Sequence, residues 1–313
     1  MEQASRLFIP LKPVQNIFDR TSQKIYFRSV QKGSASAVTL PPEHSAARLP
    51  RAYFSFVGRK LLGLVETIQG LGAFALITLV VTFTKFNVAA RVVHPLIRIQ
   101  ITRAGVRLVP MISFLAAALG FVIIGQTVLL LTRVGVAQLV GTIMVTVVVR
   151  ELGPIVAALL VMARMGTATV IELGTARALG EVEALEALGI DPIQLLVMPR
   201  VLGMALSIFS LTVYLILGAL FSGYLFAFLQ DANLSPGEYS RLIASSLNWW
   251  DFILLALKTF SFGGIIAIVT CYHGLAQPLR LEQVSNATVR AVGQCVVACV
   301  LLDTLFIIVY LLV

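Results

Sequence analysis

One uninterrupted apolar stretch limits what this chain can fold into. Residues 201–230 contain no charged side chain, and a helix of that length rises about 45 Å, more than the hydrocarbon thickness of a bilayer. A tilted transmembrane helix accommodates such a segment. Of the 313 residues, 58% are hydrophobic and 12% are charged, which is about half the charged fraction of soluble domains. The chain is therefore predicted to be an integral membrane protein.

Basic residues are concentrated near the beginning of the chain. Of the 24 lysines and arginines, ten lie within residues 1–60 and five more between Lys85 and Arg107. A net charge of +9 would suggest nucleic acid in a soluble protein, but here the positive-inside rule and anionic lipid headgroups explain it, and no nucleic-acid partner is predicted. The loops at 164–200 and 280–290 are also basic. They are therefore predicted to lie in the cytosol with the N-terminus, and the C-terminus outside.

The apolar runs predict an all-α fold with five transmembrane helices. Residues 67–84 are at the lower limit for a span, so they form either a span or a re-entrant elbow helix. Tyr53–Leu64 is typical of an interfacial helix, and Val88–Val106 of an amphipathic helix on the cytoplasmic surface. Residues 231–250 are predicted to form a polar loop. The five predicted spans are 108–132, 134–163, 201–230, 252–272 and 291–313.

Residues 1–50 differ from the remainder of the chain. They carry Ser, Thr, Pro, Gly and mixed charge without clear periodicity. This composition predicts a cytosolic, mostly disordered arm, with an organellar transit peptide as the lesser alternative.

A short polar helix is predicted at 175–189, between the second and third spans. Thr175 can cap its start, Gly189 can end it, and Asp191-Pro192 prevents its continuation. An apolar stripe with glutamates on its flanks predicts either a surface helix that closes the bundle or a coupling helix for a cytosolic motor subunit. The residues assigned to that contact are Glu181, Val182, Glu183, Leu185, Glu186, Leu188 and Asp191.

Several motifs resemble one family of permeases. RELGP occupies 150–154, an E-L-G step 172–174, an E-x-x-x-x-E-x-x-x-x-D-P pattern 181–192, and Pro-Arg 199–200. A second block, Ser285–Arg290, reads S-x-A-T-x-R. In this order they are similar to the MlaE family, the membrane subunits of ABC lipid transporters that work with Mce-domain proteins. The likeness covers roughly 52–313, and MARMG at 162–166 replaces the usual A-G-R-x-G turn.

The resemblance implies a permease domain at 51–313 that works as a homodimer. It also implies a cytosolic ABC ATPase on the coupling helices, an Mce-domain protein on the outer face, and phospholipid or a similar lipid as substrate. The membrane would be a bacterial inner membrane or an organellar inner envelope. ATP would be bound by the ATPase, since this chain has no G-x-x-x-x-G-K-[ST]. No cofactor or catalytic residue is therefore expected in this chain.

Charged residues inside spans are costly and often functional. Arg150 and Glu151 either border the lipid cavity, with Arg150 meeting a headgroup phosphate, or only pair with other helices. By position, Leu130 and Leu131 are candidates for contacts with lipid tails. Lys258 and Asp303 both lie about 10–15 Å below the outer ends of their helices. These two residues are therefore predicted to form a structural ion pair between the last two spans.

Three alternatives remain. Residues 183–199 also loosely resemble the docking loop of other ABC permeases, so another hydrophobic substrate is an alternative. A lipid-modifying enzyme would use Glu151 or His273 as its acid–base group, but no nucleophile or second carboxylate is expected beside either. A third alternative, a structural scaffold that holds a membrane complex together, predicts that no activity depends on Glu181–Glu186. The histidines and cysteines do not cluster in the sequence, so no metal site is predicted.

Overall fold

A computed structural model of the protein describes residues 67–82, 94–136, 138–230, 235–275 and 280–312. Every regular element in these ranges is a helix, and five helices are long and apolar enough to cross a membrane. The predicted all-α membrane fold with five spans is confirmed. In chain order the helices are α1 (Thr67–Thr82), α2 (His94–Arg133), α3 (Leu139–Ala178), α4 (Glu181–Ala187), α5 (Ile193–Leu229), α6 (Pro236–Ser246), α7 (Trp249–Leu275) and α8 (Leu281–Leu312).

The five long helices extend beyond the predicted spans. Helices α2 and α3 each contain 40 residues, a rise of about 60 Å, or about twice the hydrocarbon thickness. Hydropathy marks only the part of a helix that lies in hydrocarbon, so the polar ends were predicted as separate segments. Residues 94–104, predicted within a surface helix, form the first part of α2 and join the span at a turn around Gly105. The predicted arm 1–50 and interfacial helix 53–64 lie outside the described residues.

Helix α1 packs against α7 by aromatic contact. The Phe74 and Tyr272 rings meet edge to face with their centroids 5.8 Å apart, and Phe74 is buried in the main core. The length of α1 corresponds to about 24 Å, shorter than the hydrocarbon layer. Whether this elbow helix spans or re-enters stays a prediction.

Helix α6 replaces part of the predicted polar loop. Its N-terminus is closed by a capping box in which the Glu238 N–H donates to Ser235 Oγ and the Ser235 N–H donates to Glu238 Oε2. Tyr239 and Ile243 are buried on its inner face. The S-P-G-E sequence is a recognisable start signal for a helix, so the sequence did carry the information for α6.

Helix α5 lies at the centre of the fold. It packs against α2, α3 and α7, and α7 in turn contacts α3 and α8. A second, smaller core lies where α6 packs on the first turns of α3. The main core includes Leu108, Ile112, Leu173, Met204, Ile208, Phe262 and Ile266, and the smaller core includes Ile124, Val128, Val140, Met144 and Ile243.

The contact between α5 and α7 depends on the absence of a side chain at Gly263. A Cβ at this position would overlap the Ala205 backbone and lie 2.7 Å from its nitrogen. A Cβ on the adjacent Gly264 would meet nothing within 4 Å. Small residues let membrane helices approach closely, and here they do so within one chain.

We expect Gly263→Ala to lower stability and Gly264→Ala to leave it unchanged or slightly raised. Overpacking costs about 1–3 kcal/mol, whereas alanine in an open helical position gains about 1 kcal/mol over glycine. Thermal unfolding midpoints of the two variants in the same detergent test the difference. Equal midpoints would contradict the close α5–α7 contact.

Candidate functional site

Helix α3 carries the RELGP segment where its backbone departs from a regular α-helix. Val145–Leu152 forms π-helical turns, and α-helical bonding resumes at Gly153. Pro154 has no N–H, so the Arg150 carbonyl lacks the donor that an α-helix supplies four residues later. Such wide turns are frequent at functional sites. The Arg150 carbonyl is thus available to a side chain from another helix.

That side chain is Lys258 of α7, which is completely buried. Its ammonium nitrogen donates to the Arg150 carbonyl at 2.9 Å and to Glu151 Oε2 at 3.0 Å, and it lies 2.6 Å from Asp303 Oδ1 on α8. Three oxygens therefore surround a group with three N–H donors. The structure brings together Lys258 and Asp303, the pair expected from their depth. It also places Glu151 on the same ammonium, which is the pairing between helices that was the alternative to a place at the lipid cavity.

Arg150 points to a different partner. Its Nε lies 2.9 Å from Asp251 Oδ1, and its guanidinium carbon is 5.1 Å from the centre of the Tyr310 ring. Asp251 is only 4% exposed and also accepts the Asn248 N–H at the start of α7. In the sequence Asp251 lies between the predicted polar loop and the next predicted span, and its position there does not mark it as a site residue. Its position three residues after a helix-capping Asn was the available signal.

These five charged residues form one ion cluster that joins α3, α7 and α8. Burying an ion costs several kcal/mol unless a partner and hydrogen bonds compensate, and here each charge has an opposite charge within 3.0 Å. The cluster therefore fixes the three helices relative to one another. The Arg150 and Glu151 side chains are only partly buried, with 27% and 26% of their surface exposed in the single chain. The ion cluster consists of Arg150, Glu151, Asp251, Lys258 and Asp303.

The two leucines predicted to contact lipid tails lie in different environments. Leu130, in the last turns of α2, is exposed, whereas Leu131 is buried in the smaller core. Neighbouring helical residues point about 100° apart, so the two cannot share a face. Of these two leucines, only Leu130 has an exposed side chain, and its contact with a lipid tail stays a prediction.

The predicted coupling helix 175–189 is wrong in its bounds. Helix α3 continues to Ala178, so Thr175 lies inside it and does not cap a new helix. Gly180 then takes a left-handed conformation with φ of 78°, and the short α4 begins at Glu181. At the other end Gly189, with φ of 75°, stops α4 as predicted. The Gly189 N–H bonds the Glu186 carbonyl and the Ile190 N–H the Leu185 carbonyl, a Schellman arrangement.

The side chains of α4 and the turn after it divide by environment. Val182 is buried in the main core and Leu185 is half-buried, whereas Leu188 is 70% exposed. Asp191 accepts the Ile193 N–H at 2.9 Å and so caps the first turn of α5. The exposed Glu181 lies at the start of α4.

Two glutamates of α4 have a partner in this chain. Glu183 Oε1 lies 3.1 Å from Arg177 Nε, and Glu186 Oε1 lies 3.8 Å from Arg177 Nη1. Arg177 is in the last turn of α3, so it ties α4 to the end of the membrane helix. Both glutamates remain about half exposed, 50% and 49%, so the predicted contact with a partner protein stays a prediction.

Comparison with known proteins assigns these features to a family. The family model described as Permease MlaE matches residues 97–309, which include the ion cluster and α4. The chain belongs to the MlaE permease family. The match contains nearly all of the five long helices, from the first turn of α2 to the last turn of α8.

Individual relatives are more distant. The chain is 28% identical over 206 residues to TRIGALACTOSYLDIACYLGLYCEROL 1, a chloroplastic protein of Arabidopsis thaliana, with 65% of this chain and 58% of that protein covered. It is 28% identical over 233 residues to a probable ABC transporter permease protein of Rickettsia typhi, covering 73% and 87%. It is 25% identical over 199 residues to the intermembrane phospholipid transport system permease protein MlaE of Haemophilus influenzae, covering 63% and 76%.

Two further MlaE-like motifs meet in space. Glu172, from the E-L-G step, places Oε2 2.9 Å from Arg200 Nη2, from the Pro-Arg step, and Oε1 3.5 Å from Arg103 Nη1. Arg200 is buried. Its contact with Glu172 joins the last part of α3 to the first part of α5, the two helices that α4 connects. From the S-x-A-T-x-R block, Ala287 packs on Val170 of α3. The motifs thus mark contacts between helices.

Proposed function

We propose that this protein is the permease subunit of an ABC transporter that moves phospholipid or a related lipid. The observation that carries the proposal is the MlaE family match over 97–309. The Haemophilus influenzae relative is named for intermembrane phospholipid transport and the Rickettsia typhi relative for ABC transport. ATP would be hydrolysed by a separate cytosolic ATPase subunit that docks on α4.

The assembly around the permease follows the same proposal. Two copies would form a homodimer, and an Mce-domain lipid-binding protein would receive or deliver lipid at the outer face of the membrane. The N-terminus would lie in the cytosol and the C-terminus outside. Both bacterial and chloroplastic relatives support the proposal of a bacterial inner membrane or an organellar inner envelope.

Arg150 is the proposed contact for the lipid headgroup. Its pair with Asp251 uses Nε, and a guanidinium has further N–H donors that suit a phosphate. The partial exposure of Arg150 leaves it accessible from outside the ion cluster. Leu130, exposed on α2, is the proposed contact for a lipid tail.

The prediction weighed against the enzyme alternative, that no second carboxylate lies beside Glu151, is wrong, because Asp303 shares the Lys258 ammonium with Glu151. The Glu151 carboxylate is held by Lys258, and His273 Nε2 lies 2.7 Å from Gln294 Oε1. His273 lies fifteen positions after Lys258 on α7, about 22 Å along a helix. The two alternative acid–base groups, Glu151 and His273, therefore lie in separate places, and each already has a partner in this chain.

Reconstitution with the ATPase subunit tests the proposed function. We expect the tagged permease to retain the ATPase through purification, and phospholipid vesicles to raise the hydrolysis of ATP several-fold over detergent alone. Transfer of a fluorescent phospholipid between vesicles should require ATP. No retained ATPase would contradict the ABC assignment. Stimulation by a non-lipid hydrophobic compound but not by phospholipid would favour the alternative substrate class.

A further inference from the structure

Three exposed arginines lie near the end of the bundle that carries α4. Arg103 and Arg107 are one helical turn apart on α2, and Arg164 lies eight positions, or about two turns, before Glu172 on α3. The two helices meet where Arg103 Nη1 lies 3.5 Å from Glu172 Oε1. Because α2 and α3 run in opposite directions, Arg107 and Arg164 both lie on the membrane side of this salt bridge. We call Arg103, Arg107 and Arg164 the basic surface.

Positive charge is in excess on the basic surface. Neither α2 nor residues 152–171 of α3 contain an Asp or Glu. Glu172 is shared with the buried Arg200, whose Nη2 lies 2.9 Å from Glu172 Oε2. Within the described ranges, the guanidinium groups of Arg107 and Arg164 have neither an ion pair nor a hydrogen bond. In that part of the chain, two exposed cations are therefore left without an anion.

The depth of the basic surface corresponds to one leaflet of the bilayer. Arg150 pairs with Asp251, which follows the exposed Trp249 and Trp250, and such aromatic residues mark a membrane interface. Glu172 lies 22 positions after Arg150, about 33 Å along a helix, which is close to the hydrocarbon thickness. The salt bridge of Glu172 therefore marks the opposite boundary. Arg164 lies about 12 Å inside that boundary, where a charge without a counter-ion is costly.

Exposed apolar side chains continue from the basic surface toward the middle of the membrane. Met111 and Phe114 follow Arg107 by about one and two turns of α2, on the same side of the helix. Their side chains are 48% and 76% exposed. A phospholipid has this order of charge followed by apolar chain, whereas a soluble anion or an acidic peptide has only the charge. The surface is therefore complementary to a lipid whose phosphate lies at the arginines.

We propose that the basic surface binds the phosphate of an anionic phospholipid in the leaflet at the α4 end of the bundle. Arginine suits this ligand, because its planar fork of N–H donors matches phosphate oxygens and it keeps its charge. The site is separate from the ion cluster, since Arg164 lies 14 positions, about 21 Å, after Arg150 on α3. Binding there needs neither ATP nor a partner protein. The inference therefore goes beyond the proposed function and is tested without it.

Lipid retained by the purified full-length permease tests the site. The protein is exchanged into detergent with equal amounts of phosphatidylglycerol and phosphatidylcholine, and mass spectrometry of the intact protein counts the bound lipids. We expect wild type to retain phosphatidylglycerol several-fold over phosphatidylcholine, and Arg107→Gln combined with Arg164→Gln to lose this preference. Arg133→Gln combined with Arg241→Gln is the matched control. It removes two exposed arginines from the opposite end of the bundle and should keep the preference.

Thermal unfolding separates lipid binding from folding. In phosphatidylcholine alone, the Arg107→Gln and Arg164→Gln double variant should unfold at the wild-type midpoint, since neither guanidinium has a partner among the described residues. Added phosphatidylglycerol should raise the midpoint of wild type but not of this variant. Arg107→Lys combined with Arg164→Lys keeps both charges and should keep most of the rise. A lower midpoint for the glutamine variant in phosphatidylcholine alone would overturn the inference, because the arginines would then hold a protein partner.

Other outcomes would also contradict the lipid site. An unchanged phosphatidylglycerol preference in the Arg107→Gln and Arg164→Gln variant would overturn it, and equal losses in the two double variants would show that only net charge matters. If inorganic phosphate raises the wild-type midpoint as much as phosphatidylglycerol does, the arginines bind a soluble anion. If the glutamine variant changes from dimer to monomer, they contact a second copy. Retention of the ATPase tests the proposed function separately from all of these results.

Discussion

Lys258→Met is expected to destabilise the protein by about 3–5 kcal/mol, the usual cost of removing one partner from a buried ion pair. The methionine has a similar length but leaves Glu151, Asp303 and the Arg150 carbonyl around an apolar group. Since Lys258 is fully buried, water cannot take its place without opening the contact between α7 and α8. Unfolding midpoints in detergent, compared with wild type, measure the loss.

A neutral version of the same site is the control. Lys258→Met combined with Glu151→Gln and Asp303→Asn should recover a large part of the lost stability, because no charge remains unpaired. Asp303→Asn alone should be milder than Lys258→Met, since the ammonium keeps Glu151 and the Arg150 carbonyl. A Lys258→Met protein as stable as wild type, with Asp303→Asn strongly destabilised, would contradict the pairing.

The Lys258–Asp303 contact shows what a sequence can specify in a membrane protein. Two opposite charges at similar depth in neighbouring spans have few other partners, so depth alone predicts the pair. The depth of a residue in the membrane does not specify the direction in which its side chain points around the helix axis. The π-helical turns at Val145–Leu152 shift every later side chain of α3 around the helix axis. The partners of Arg150 and Glu151 therefore could not be deduced from α-helical spacing.

Local sequence signals explain the other differences between the predicted and the observed helices. Gly180 lies within an α-helical apolar pattern, and glycine is tolerated inside helices, so periodicity could not distinguish a helix interior from the break before α4. The capping box at Ser235 was visible, but the polar composition of 231–250 favoured a loop. The internal pairs of Glu183 and Glu186 depend on where α3 ends, which hydropathy did not specify.

Arg150→Met is the second substitution for which we expect a large effect, a loss of about 3–5 kcal/mol. It leaves the Asp251 carboxylate, which is nearly fully buried, without its cation and removes the cation–π contact with Tyr310. Arg150→Lys keeps the charge but loses the planar guanidinium, so it should be less destabilising. The unfolding midpoint should therefore be lowest for Arg150→Met, intermediate for Arg150→Lys and highest for the wild-type protein. Equal unfolding midpoints for Arg150→Met and wild type would contradict the Arg150–Asp251 pair.

The double variant Arg150→Met with Asp251→Asn separates stability from transport. Removing both charges should return most of the stability, because neither carboxylate nor guanidinium is then unpaired. Phospholipid transfer by this stable variant is the decisive measurement. If transfer stays lost while stability returns, Arg150 acts on the lipid as well as on Asp251, as proposed. If transfer returns, Arg150 serves only to join α3 to α7, and the headgroup contact must be sought elsewhere on the exposed side of the ion cluster.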